Sequence, residues 1–381
     1  VEETYEDVTY DQTQLDEYVE RVLQLEAVAC KDWLTNKVDR SVTGKIARQQ
    51  CQGEIQLPLS DCGVVALDYR GRAGIATSIG HAPQAALVDP AAGSVLSIAE
   101  ALTNIVWAPL SEGLDSVSLS ANWMWPCKNE GEDARLYRAV EACSDFACSL
   151  GINIPTGKDS LSMTQKYGKD KVYSPGTVII SAGAEVSDIR KVVSPVLRTG
   201  VDSMVYYIDF SFDNLKLGGS AFAQSLDKIG KEVPTVQDSE YFANAFNAVQ
   251  ELINKELILA GHDISAGGMI TTMLEMNFAN TEGGLEVSLD EIPEKDLIKI
   301  LFSENPGILN QVEKTDEVEK ILKKAGVAFI RLARPCDERH LLIHKDGADY
   351  QFFIDHLRDV WFESSYLLDR KQSGEKPAKD R

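Results

Sequence analysis

Gly157-Lys158-Asp159-Ser160-Leu161-Ser162-Met163 follows Ile152-Asn153-Ile154-Pro155, and about a hundred residues further on stands Gly261-His262-Asp263-Ile264-Ser265-Ala266-Gly267-Gly268. Each stretch sets a carboxylate and a hydroxyl among glycines, the residue that lets backbone N–H groups turn inward and approach an anion. Two such stretches in one chain predict a pair of phosphate-handling loops. The apolar runs around them alternate between strand and helix length, which predicts two α/β units meeting over these loops.

The amphipathic run over residues 16–28, with Val19, Val22, Leu23 and Leu25 at helical spacing, predicts a short helix. Residues 57–59, 63–67 and 74–80 read as strands, 91–107 and 132–150 as helices, and 117–120 and 177–182 as strands. A second block opens after Ser194-Pro195. It has strands at 204–209, 327–331 and 340–344 and helices near 241–256 and 268–279. The expected division is an acidic tail and connecting helix over residues 1–30, one module over 31–198, a second over 199–368, and a charged linker over 369–381.

A chain of 381 residues exceeds one ordinary core. Seven scattered cysteines without a Cys-x-x-Cys pair argue against a zinc site or disulfide framework and for small buried hydrophobes in a reducing compartment. A formal charge of -21 disfavours nucleic acid as a partner, because phosphate backbones select basic surfaces. No apolar run approaches the ~18 residues of a membrane span and no signal-peptide pattern opens the chain, so a cytoplasmic protein without a membrane partner is expected. The first 17 residues carry seven acids and no base, so the first dozen read as disordered or extended. With Val1 at the start and a linker-like tail, the chain is expected to be a segment of a longer polypeptide.

Glu100 and Asn104 stand four residues apart in a helical run, so their side chains share a face. With Asp61 and Asp263 they would supply the carboxylate and amide oxygens that magnesium takes when it bridges nucleotide phosphates. Spacing alone does not assemble the four. Each also has a plainer reading: a solvated helix residue for Glu100, a packing or capping residue for Asn104, a turn former for Asp61. His81 and His262 read as hydrogen-bonded structural residues rather than bases.

Taken in order, Lys31, Asp39-Arg40-Ser41-Val42-Thr43-Gly44, Leu59-Ser60-Asp61-Cys62, Leu87-Val88-Asp89, Glu100-Ala101-Leu102-Thr103-Asn104, Leu119-Ser120-Ala121-Asn122-Trp123-Met124, Gly131-Glu132-Asp133, Ile154-Pro155-Thr156-Gly157-Lys158-Asp159-Ser160 and Gly261-His262-Asp263-Ile264-Ser265 form a pattern. The pattern resembles the phosphoribosylformylglycinamidine synthases of the large, single-chain type, over roughly residues 10–368. The resemblance implies an α/β (α+β) fold similar to aminoimidazole ribonucleotide synthetase, with an N-terminal β-barrel-forming module and a C-terminal α/β sandwich module. It also implies a purine-biosynthesis ligase that uses ATP and glutamine to convert formylglycinamide ribonucleotide to formylglycinamidine ribonucleotide.

In that family the synthetase region holds two tandem copies of this pair of modules, and the chain resembles the second. The resemblance then implies an auxiliary ADP or ATP contacted by Lys31 and Ser265, with Mg2+ held by Asp61, Glu100, Asn104 and Asp263. Gly157, Lys158, Asp159 and Ser160 would contribute to the phosphate end of the formylglycinamide ribonucleotide pocket. No catalytic residue is expected here, so the isolated segment would be inactive. The implied partners are the first synthetase half and a glutaminase domain, for which this chain has no nucleophile-elbow cysteine. Ala266 replaces an aspartate common in the family, which removes a carboxylate role at that position. Two other readings stay open: an architectural module with an empty nucleotide site, and a self-sufficient dimeric ATP-dependent enzyme. A homodimer is expected of the isolated segment, through the barrel-forming surface it would otherwise expose.

Overall fold

The computed structural model describes residues 5–35 and 44–380. Residues 1–4 of the acidic tail, 39–43 of the quoted pattern and Arg381 lie outside the described residues. The chain enters through helix α1 (Leu15–Gln24) and builds two sheets in succession. The first holds β1 (Ile46–Arg48), β2 (Gly63–Ala66), β3 (Gly74–His81), β4 (Ser118–Met124), β5 (Asn153–Ser160) and β6 (Thr177–Val186), in the spatial order β1-β2-β3-β6-β4-β5. Its pairs are antiparallel except β4 with β5.

Helices α2 (Pro90–Ile105) and α3 (Glu132–Ser149) follow β3 and β4. The start of α2 is set by Asp89, whose carboxylate accepts from the N–H groups of Ala91 and Ala92, with Pro90 pre-shaped for the first turn. Strand β3 alternates strictly, Gly74, Ala76, Ser78 and Gly80 inward and Ile75, Thr77, Ile79 and His81 outward. The inward residues are small because α2 lies directly on them: a Cβ on Gly80 would stand 2.2 Å from the Ser97 carbonyl oxygen. The outward face of the sheet therefore carries exposed Ile75 and Ile79.

The second sheet holds β7 (Met204–Asp209), β8 (Ile258–Ile264), β9 (Gly284–Ser288), β10 (Gly307–Val312), β11 (Ile330–Cys336), β12 (His340–Lys345) and β13 (Ala348–Phe353). Its order is β8-β10-β7-β11-β9-β12-β13, antiparallel except β9 with β12. One face packs on α4 (Ser239–Asn254), whose Phe242, Phe246 and Val249 join Ile98 and Leu102 of α2 and Tyr206 and Ile308 of the sheet in one core. The other face is covered by α5 (Gly268–Phe278), α6 (Ile354–Ser373) and α1, through Met273, Trp361, Val19 and Val22.

The chain passes from the first sheet to the second near residue 199, and one core runs across that boundary. The helix expected within residues 1–30 is α1, an integral cover of the second sheet, and just after it the Val28 carbonyl accepts from Trp361 Nε1 at 2.9 Å. The structure corrects the linker reading of the C-terminal stretch. Residues 369–373 continue α6, and Glu375–Lys379 forms a further short helix, so charge and Gly374 do not make this stretch a linker. Among the cysteines, Cys30, Cys51, Cys62 and Cys143 are buried thiols, as small hydrophobes should be.

Candidate functional site

A cavity of about 530 Å³ opens where the two sheets' helices and loops meet. The first half contributes His81, Leu96, Glu100 and Thr103, the second Gly218, Gly219, Ser265 and Glu304, and the entry segment Lys31. Lys31 Nζ donates to the Ala29 carbonyl, and burial lowers its pKa against the opposing pull of Glu275. Ser265 follows directly on β8, where Gly267 and Gly268 take left-handed φ values of 94° and 72° to turn the chain into α5. Glu304 ties the two glycine-bearing loops together: its Oε1 accepts from Gly267 N and from Ala221 N, each at 2.8 Å. Burial pushes the Glu304 carboxyl up to about 7, against those two donors.

Glu100 and Asn104 do share a face of α2. Glu100 Oε2 accepts from His81 N at 2.7 Å, and that carboxylate raises the His81 pKa. Asn104 Nδ2 donates to the Ile79 carbonyl at 3.0 Å, pinning α2 to β3, and the residue does not line the cavity.

Asp61, His262 and Asp263 offer ligand-type atoms that all lie within 4.8 Å of one another. Asp61 comes from the loop before β2, the other two from β8. His262 Nδ1 stands 2.7 Å from Asp61 Oδ1 and 3.6 Å from Asp263 Oδ1, while Nε2 stands 2.9 Å from Glu275 Oε2. Burial alone would depress the His262 pKa, but Asp61 and Glu275 outweigh it and hold the ring above its ordinary value. Desolvation raises both aspartates, Asp263 further through Asp61 and Glu100. Asp61 Oδ2 and Asp263 Oδ2 are buried without a hydrogen-bond partner. Two carboxylate oxygens in that state, with Glu100 near enough to act on Asp263, suit a hard divalent cation with oxygen preference such as magnesium.

Gly157, Lys158, Asp159 and Ser160 do not form a loop, as the glycine and turn-forming residues suggested. They complete β5, an exposed edge strand paired in parallel with β4, and none of them lines the cavity. The glycine serves close approach rather than a left-handed turn: a Cβ there would stand 2.3 Å from the Ala121 carbonyl oxygen. Lys158 Nζ donates to Ser160 Oγ. The sequence reading missed Glu275, Glu304 and the partners of His262. Only Glu304 carried a signal, the turn-forming Asn305-Pro306-Gly307 that follows it.

Residues 30–185 match the family model described as the FGAR-AT PurM_N-like domain, and residues 206–341 the AIR synthase related protein, C-terminal domain. Among curated relatives, phosphoribosylformylglycinamidine synthase of Homo sapiens is 39% identical over 362 residues, spanning 93% of this chain and 27% of the relative. The Drosophila melanogaster protein of the same name is 40% identical over 380 residues, spanning 94% and 28%. The chain thus spans about a quarter of the length of these relatives. Thermotoga maritima PurL complexed with FGAR superposes with a TM-score of 0.69 at 15% identity, over 90% of this chain and 53% of that one. PurL complexed with ATP gives 0.67 at 14% identity, over 90% and 52%.

Two such domains in this order, over two sheets with a shared core, define an α/β chain of the AIR synthase-related class. The chain belongs to the phosphoribosylformylglycinamidine synthase family.

Proposed function

We propose that this chain is the second synthetase segment of an enzyme that converts formylglycinamide ribonucleotide to formylglycinamidine ribonucleotide with ATP and glutamine. Within it, the segment holds an auxiliary ADP or ATP with magnesium at the junction of its two halves. The observation that carries this reading is the cavity: Lys31, Glu100 and Ser265 converge on it from three separate elements, while Asp263, two residues before Ser265, and Asp61 do not line it but hold buried unpartnered oxygens. Lys31 would neutralise phosphate charge, Ser265 and the adjacent backbone would donate hydrogen bonds, and Asp61, Asp263 and Glu100 would hold the cation. Magnesium, when bound there, screens the phosphate charge that this acidic chain would otherwise repel. Asn104 is proposed as its amide ligand, with its oxygen available while its nitrogen is engaged by Ile79.

The exposed β5 edge supports the second part of the reading. Lys158 and Ser160 stand on a surface that another synthetase half would complete, with Lys158 directed at the substrate phosphate and a glutaminase domain supplying ammonia. Thermotoga maritima PurL, whose fold this chain shares, was solved in complex with FGAR and with ATP, in line with this reading.

Calorimetric titration of ADP with magnesium into the chain, repeated on Asp263→Ala, tests the nucleotide site. Micromolar or tighter binding that the substitution abolishes is the expected result. Absence of binding in folded, nucleotide-free protein would favour an architectural module.

A further inference from the structure

The contacts on the far side of His262 have no part in holding a nucleotide directly. Glu275 lies on α5, a helix that begins immediately after the Gly267 turn, and faces back toward β8. Its Oε2 takes one ring nitrogen of His262 at 2.9 Å, while the other ring nitrogen stands 2.7 Å from Asp61 Oδ1. The series Glu275, His262, Asp61 therefore runs from a helix through an edge strand to a loop of the other half. It ends among three buried atoms without hydrogen-bond partners, His262 Nδ1, Asp61 Oδ2 and Asp263 Oδ2, so the 2.7 Å approach of His262 to Asp61 is an ion-pair contact.

We propose that His262 and Glu275 are positioning residues for the cation that Asp61 and Asp263 hold, an inference that rests on the magnesium-nucleotide reading above. Glu275 fixes the plane of the imidazole. The ring then faces Asp61 Oδ1 across an ion-pair contact and leaves the second oxygen of that carboxylate free for the cation. His262 itself is not a ligand, because both of its nitrogens stand against carboxylates and magnesium takes oxygen donors. The carboxylate–histidine pair does for an acidic ligand what such pairs do behind metal-bound imidazoles: it fixes orientation from one shell out. Asp61 needs this support more than Asp263 does. Asp263 is carried on β8, hydrogen-bonded to β10, whereas Asp61 sits in a loop.

The test compares wild type, Glu275→Leu and Glu275→Gln. Mg2+·ADP is titrated calorimetrically, ADP is titrated in EDTA, and Mn2+ alone is followed by electron paramagnetic resonance, with thermal melts to confirm folding. Glu275→Leu is expected to weaken Mg2+·ADP and Mn2+ binding by roughly ten- to a hundredfold. Glu275→Gln, whose amide oxygen still accepts from His262, restores most of that affinity, and ADP binding in EDTA is no weaker in either variant than in wild type, since both lose a negative charge that acts on Lys31. Equal metal affinity across the series overturns the proposal, as does a matching loss of metal-free ADP affinity in Glu275→Leu, which would mark a purely structural residue. Nitrogen coupling of a directly bound imidazole in the pulsed spectrum of bound Mn2+ also overturns it. If wild type binds neither Mn2+ nor Mg2+·ADP, the nucleotide reading fails and takes this proposal with it; if wild type binds both and Glu275→Leu matches it, only the positioning role fails.

Discussion

Glu304 shows how a single side chain can make this fold sensitive to pH. Its carboxyl titrates near 7 when folded, against an ordinary value of 4.5, because burial outweighs the two backbone donors that hold it. Between those values the folded state binds more protons than the unfolded one, so the contribution is full below pH 4.5 and is lost as pH rises through 7. Its size is on the order of 3 kcal/mol. Glu304→Gln keeps an acceptor for Gly267 and Ala221 but cannot ionise. In nucleotide-free protein, urea denaturation is expected to show a shallower fall in stability from pH 5 to 8 for the variant and higher stability than wild type at pH 8. At this scale the sequence was partly legible. Asp61, Glu100 and Asp263 stood out once their order along the chain was matched to a known pattern. His262 was legible as a hydrogen-bonded residue but its partner Glu275 was not, because thirteen positions and a strand-to-helix turn separate them and only the tertiary turn brings them to 2.9 Å.

Strand β5 carries the lesson for elements. Glycine, aspartate and serine in Gly157–Ser160 are turn formers, and turn chemistry was the natural reading. Pairing with β4 overrides it, since a parallel edge strand can use a glycine wherever its neighbour's backbone comes close. Gly157→Ala would push a methyl against the Ala121 carbonyl, which cannot swing aside as a side chain can. The expected cost is about 1–3 kcal/mol, and hydrogen exchange should accelerate in β4 and β5 while Mg2+·ADP affinity holds. Elements with a clear apolar run were read closely: Met204–Asp209, buried on both faces, stands where its continuous apolar run put it, and α2 within two residues. Terminal composition misled, because the charged residues after 368 form the solvent face of a helix whose other side, through buried Asp369, meets the protein.

For the whole molecule, the shared core predicts a single unfolding transition, and Gln250 is its most exacting polar contact. From α4 its Nε2 donates to the carbonyls of Val106 and Ala108, and its Oε1 accepts from Leu110 N, all buried at the seam between the halves. Gln250→Leu strands three backbone groups and should cost roughly 3 kcal/mol or more; calorimetry is expected to show one lowered peak rather than two. The outward face of the first sheet makes a separate prediction. Ile75 and Ile79 are exposed on it, so the isolated chain should self-associate through that face. Sedimentation should find dimers at micromolar concentration for wild type and monomers for Ile79→Asp. Two α/β blocks were legible from alternating runs, but their shared interior was not, since periodicity reports which face is buried and not against what.

The contact between Trp361 and Val28 joins positions 333 residues apart. Within this chain α1 is made well before α6, so its apolar side must wait for α6 before it is covered. The first core, by contrast, takes its last buried residue from Val327, with Phe329 packed against it, and can close earlier. Translation speed and chaperone occupancy across this segment should therefore bear most on α1, which stays sticky until α6 has been made.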